Sequence, residues 1–201
     1  MKISNIKDGN DDDLSQVRIV IGGPKNSGKS VFAVYFFRAF RQLGIRAYHY
    51  DYDPYSPTRE LVLKKIDNTQ REKLKKMISD EEARDIAKNF QNNFSEYDII
   101  IGDLPGQISD VSKILISAGT HSIVVCRADE EKEINVWRSM FNKLNVKTVC
   151  VVKTFLADHE EINESDIIYV ETSNLDRNDV SETVPATILA LTEKIKNYIR
   201  S

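Results

Sequence analysis

Apolar and polar positions alternate in blocks whose period changes along the chain. Val17, Ile19, Val20 and Ile21 form a short β-branched run, the pattern of a strand buried on both faces. A glycine-rich stretch follows. The next block, Lys29 to Leu43, is apolar nearly all round its first turns through Val31, Phe32, Val34, Phe36 and Phe37. It predicts a deeply buried helix, with Gly44 supplying a left-handed stop. Further strands are predicted at Ala47–Asp51, Tyr97–Gly102, Ser122–Cys126, Val146–Val152 and Ile167–Val170. Helices are predicted at Asp110–Ser117, Glu130–Leu144 and Pro185–Ile199. Strand and helix in strict alternation specify an α/β fold, a three-layer sandwich around a mostly parallel sheet.

Two stretches break the rhythm. Residues 1–16 carry Asp8, Asp11, Asp12 and Asp13 with few apolar anchors, and read as a flexible acidic segment. Residues 57–95 read as a helical insert between the second and third strands. Within it, Lys64, Lys65, Arg71, Lys73, Lys75 and Lys76 make a basic stretch over 64–76. Such a stretch is either a solvated helix surface or a docking site for a protein or RNA partner. Nothing else divides residues 17–201, so a single domain is expected. A length of 201 residues suffices for one buried core. The net charge of -3 gives no support to a nucleic-acid coat protein. The cysteines, Cys126 and Cys150, lie in apolar runs without metal-type spacing, and read as buried thiols. No leader-like segment and no run long enough to span a membrane is visible, so a cytoplasmic location is expected.

The chemistry concentrates in Gly23-Pro24-Lys25-Asn26-Ser27-Gly28-Lys29-Ser30, a full match to G-x-x-x-x-G-K-[ST]. Glycines let the backbone curl so that successive N–H groups, through Val31, point at phosphate oxygens. Lys29 reaches the β- and γ-phosphates, and Ser30 offers its hydroxyl to Mg²⁺. The following helix aims its positive end at the same anion. The strand before and the helix after are the context the motif requires.

Acidic partners follow at two predicted strand tips. Asp103 in Gly102-Asp103-Leu104-Pro105-Gly106 is placed to hold Mg²⁺. The backbone N–H of Gly106 is placed to sense the γ-phosphate. Asp51-Tyr52-Asp53-Pro54 closes the second strand; Asp51 is assigned to the metal shell and Asp53 to the attacking water. Each stretch also has a plainer reading as a turn. Lys29, Asp53 and Asp103 are thus the candidate catalytic set, with ATP or another nucleoside triphosphate as substrate.

Together the loop, Asp-x-Asp-Pro and Asp-x-Pro-Gly resemble the SIMIBI class of P-loop NTPases. That class includes the MinD and ParA ATPases, the nitrogenase iron protein and dethiobiotin synthetase. The resemblance runs in element order over residues 17–200 and implies nucleotide-linked pairing into a homodimer. One position departs from MinD and ParA. Their lysine directly after the first loop glycine reaches across the dimer interface, whereas here Pro24 stands there and the lysine is Lys25. Where the class often places a purine-reading Asn after the fifth strand, this chain has Lys153-Thr154. Asp129 and the loop from Thr172 to Arg177 are therefore candidates to flank the base. Thr120-His121-Ser122-Ile123-Val124-Val125, Asp129-Glu130-Glu131, Trp137-Arg138 and a strand ending near Lys153-Thr154, together with Gly23-Pro24 and Asn26-Ser27-Gly28-Lys29-Ser30-Val31-Phe32, also resemble the P-loop module that accompanies a CRISPR-associated ring-nuclease family. That likeness implies a role in RNA-guided defence.

Three functions fit these residues: an NTPase whose hydrolysis drives a switch, a kinase-like phosphotransferase acting on a small molecule or an RNA end, and a nucleotide-binding regulator without turnover. Trp137 reads as core. His121 reads as a structural histidine at a strand start near the site mouth, and His49 and His159 show no ligand constellation.

Overall fold

The computed structural model describes residues 17–52, 78–92, 94–173, 175–176 and 180–200, with a few single positions between 65 and 73. In chain order the elements are β1 (Val17–Gly22), α1 (Lys29–Gln42), β2 (Ala47–Asp51) and α2 (Asp80–Asn92). Then come β3 (Ile99–Asp103), α3 (Asp110–Ile116), β4 (His121–Arg127) and α4 (Glu131–Lys143). The chain closes with β5 (Lys147–Thr154), β6 (Glu161–Glu164), β7 (Ile168–Thr172) and α5 (Ala186–Arg200). The strands form one seven-stranded sheet in the order β2-β3-β1-β4-β5-β7-β6. Every pairing is parallel except β6 with β7.

Central strands buried on both faces need helices on both sides, and the core accordingly divides in two. On one face Ile19, Ile21, Ile101 and Val152 pack against α1 and α5. On the other, Val20, Ile100, Val124 and Val151 pack against α2, α3 and α4. Phe32, Phe36 and Phe40 recur every fourth residue of α1, all fully buried, with ring centroids 5.3 and 4.7 Å apart. Each such burial contributes about 1.5–3 kcal/mol against exposure, which fixes α1 under the loop it follows. The helix ends as its sequence predicts: Gly44 has φ 74, and the N–H of Ile45 reaches back to the carbonyl of Phe40.

On the opposite face Trp137 and Phe141 of α4 press against the end of β1. A Cβ at Gly22 would lie 2.6 Å from each ring, so only glycine admits this approach. Trp137 is core, as its position predicts.

Two features differ from the sequence expectation. β6 has one apolar residue, Ile162, among Glu161, Asn163 and Glu164, too weak a signal to read as a strand. It forms because β7 offers it a free edge. His121 lies at the start of β4, so in a parallel sheet it stands at the edge opposite the strand C-termini, away from the phosphate loop rather than at its mouth.

Candidate functional site

β3 and β4 flank β1 on opposite sides, so the chain crosses over at β1. In open α/β sheets ligands bind at such a switch point, outside the strand C-termini. The stretch from Gly23 to Ser30 occupies that place.

Its shape follows from residues that tolerate unusual backbone. Gly23 has φ 145, Asn26 φ 61 and Gly28 φ 84. Gly23 also lies so close to β4 that a Cβ would come within 1.8 Å of the carbonyl oxygen of Val125. Gly28 caps α1 without a side-chain hydrogen bond, and the first turn of α1 holds no acidic residue. The leading N–H groups of the helix are thus left for an anion. Lys29 is buried to 7% exposure, and its Nζ donates to the carbonyl of Pro24 at 2.9 Å. The lysine arches back over the loop it follows. Ser27 is buried, and its Oγ has no hydrogen-bond partner among the described residues. Ser30, half-buried, begins α1 next to Lys29.

Neighbouring segments hold the loop from three more sides. The Thr154 hydroxyl at the end of β5 donates to the carbonyl of Ser27 at 3.2 Å. Leu175, beyond β7, covers Gly28: a Cβ there would meet the Leu175 Cβ at 3.1 Å. Gly106 abuts Lys25, where a Cβ would meet the Lys25 backbone nitrogen and Cα at 2.9 Å. Sequence alone puts Thr154 no closer than the neighbourhood of the base. Its role as a clamp on the loop carries no sequence signal, because it depends on β4 and β5 lying side by side.

The acidic tips converge on the same edge. Register pairs Asp51 with Asp103, and Asp103 with Ile21, so the two carboxylates stand on adjacent strands. Adjacent strands are about 4.8 Å apart. Both share the sheet face of Ile101 and Ile21, the face that α1 covers. Asp103 is 1% exposed and Asp51 half-buried. Asp53 lies outside the described residues. So does most of the 64–76 stretch, of which Lys65 and Lys73 are exposed.

At the end of β4, Arg127 pairs with Asp129 at 3.2 Å and with Glu130 at 3.1 Å, so Asp129 is engaged with its own loop. The Cys126 thiol is pushed up to about 12, first by burial and then by the carboxylates of Glu130 and Glu133, with Lys29 opposing. Cys150 is likewise buried and raised by burial.

No protein-family model matches the sequence, and no curated protein matches it. Solved structures do. One is a protein classed as a plasmid partition protein from Borrelia burgdorferi, bound to AMPPNP, at 11% identity and TM-score 0.59, covering 90% of this chain and 97% of that one. Another is a nucleotide-binding protein from Archaeoglobus fulgidus in complex with ADP, at 17% identity and TM-score 0.56, covering 92% and 79%. A third is the septum site-determining protein MinD from Pyrococcus horikoshii complexed with Mg-ADP, at 14% identity and TM-score 0.54, covering 69% and 70%. At these identities the likeness is one of architecture, and this chain has the mostly parallel P-loop NTPase-type α/β fold that these structures share.

Proposed function

We propose that this protein binds a nucleoside triphosphate, in the first instance ATP, with Mg²⁺, and hydrolyses it as a conformational switch. The observation that carries the reading is the loop itself: a glycine-shaped nest at a helix N-terminus, an inward lysine and a buried carboxylate on the neighbouring strand tip. The Oγ of Ser27 and the uncapped N–H groups of α1 are donors whose natural partner is a phosphate oxygen. The solved structures of the same fold that carry AMPPNP, ADP and Mg-ADP support the same ligand class.

The donor set suits Mg²⁺, which takes oxygen ligands and keeps several waters. Ser30, Asp103 and Asp51 would hold it, and bound there it neutralises charge on the phosphates. The rest is done by the chain. Loop amides and Lys29 fix the β- and γ-phosphates in one orientation. Asp53, two residues past the end of β2, is the proposed positioner of the attacking water. Gly106, packed on Lys25, links the γ-phosphate position to the turn before α3, which is the physical basis for a switch.

Nucleotide-linked pairing of two copies fits the fold class, without the trans-acting lysine that Pro24 replaces. The likeness of scattered positions between Gly23 and Thr154 to the ring-nuclease-associated module would set the switch in RNA-guided defence. The test is a phosphate-release assay with ATP and Mg²⁺, read together with particle mass. Release without an added acceptor, with mass changing between the ATP-analogue and ADP states, is the expected result. Transfer to an acceptor without free phosphate would make the protein a phosphotransferase, and tight binding without any turnover would make it a non-hydrolysing regulator.

A further inference from the structure

We propose that His159, Glu161 and Glu171 form a binding site for a divalent transition metal at the outer edge of the sheet, separate from the phosphate loop. The hairpin of β6 and β7 assembles it. Antiparallel register sets Glu161 directly opposite Glu171. Two carboxylates facing each other across a strand pair repel, and a cation bound between them would relieve that repulsion. His159 precedes Glu161 by two residues, and its Nε2 lies 2.6 Å from Glu171 Oε2. One ligand atom from each of the three residues falls within 4.8 Å of the others.

Neighbouring side chains hold these groups in place beside one another. The Phe155 ring stands 4.4 Å from the His159 ring, centroid to centroid, and limits its rotation. Asn163 Nδ2 donates to Glu161 Oε1 at 2.7 Å, which leaves the second oxygen of that carboxylate for an ion. Glu160 is turned elsewhere, accepting from the Thr172 hydroxyl at 3.0 Å. Lys153 reaches only the far oxygen of Glu171, at 3.9 Å, and is shared with Glu131 at 3.5 Å.

Metal–ligand bonds of 2.0–2.2 Å in a tetrahedral site put ligand atoms roughly 3.4 Å apart. The His159–Glu171 pair must therefore open by under an ångström and the widest separation close by somewhat more than one, small motions for partly exposed side chains. One imidazole and two carboxylates suit Zn²⁺, Co²⁺ or Ni²⁺ better than Mg²⁺, and three protein ligands leave a position for water. A bound ion would brace the turn from Phe155 to Glu160, which leaves β5 directly after Thr154, the residue that clamps Ser27. None of the three ligands belongs to the proposed magnesium set.

The test is titration of the full chain with CoCl₂, without nucleotide, followed by visible absorption. One equivalent giving the intense band of four-coordinate Co²⁺ is expected. His159→Gln and Glu161→Gln should each weaken it at least tenfold, and Glu164→Gln should not. Zn²⁺ should compete for the site and raise the melting temperature of the wild type but not of the two ligand variants, whose circular dichroism shows that they fold. Absence of saturable binding in the millimolar range overturns the proposal. Binding of equal strength in the ligand variants also overturns it, since the ion would then sit elsewhere.

Discussion

Gly106 shows how a single residue ties chemistry to geometry. Its φ is not in the left-handed region, so strain is not the reason for glycine there. The reason is space, because the backbone of Lys25 occupies the place of a side chain. In Gly106→Ala the added Cβ would lie within 3.0 Å of the Lys25 backbone, so the turn and the phosphate loop must shift apart. The fold should survive, while phosphate release falls tenfold or more; unchanged turnover would show that the contact has no role in the switch. His121 supports a prediction of another kind. Burial, then the nearby Lys147 that pairs with it across β4 and β5, holds its imidazolium below the ordinary 6.5. A depressed folded-state value means the unfolded chain binds the proton more readily. Stability is therefore fully present above about pH 6.5 and is lost as pH falls through the lower folded value. Denaturant midpoints should drop over that window in the wild type and drop less in His121→Gln, and equal slopes would refute the assignment.

At the scale of elements, α4 is fixed by two aromatic rings against β1, with Trp137 1% exposed. Trp137→Ala should cost about 3–5 kcal/mol, seen as a lower urea midpoint at unchanged slope. A smaller loss would mean that α4 collapses into the space. Elements such as α1 and β5 are legible in the sequence because long periodic or β-branched runs leave little choice of structure. Gly44 is legible as a stop for the same kind of reason, a local one. β6 is not, because Glu161 to Glu164 form a strand only through pairing with β7. With β6 unread, the meeting of His159 and Glu171, twelve residues apart, is invisible, which is why the sequence shows no ligand constellation at His159 and the proposed metal site rests on the structure alone. The phosphate loop and Asp103 are readable as a motif. The clamps on that loop from Thr154 and Leu175 are not, since they bring in segments more than a hundred residues away.

For the whole molecule, the parallel sheet gathers the tips of β1, β2 and β3 on one edge and directs α1 at the crevice they enclose. No helix among the described residues is long and apolar enough to cross a membrane. The division of labour is clear: the sheet interior carries stability, and the C-terminal edge carries the proposed chemistry. Calorimetric titration with Mg²⁺ and a non-hydrolysable ATP analogue, comparing the wild type with Lys29→Ala, tests the central claim most directly. Saturable binding at one nucleotide per chain, weakened at least tenfold in the variant, about 1.4 kcal/mol or more, is the predicted result. No binding to the wild type, or equal binding to both, would contradict it.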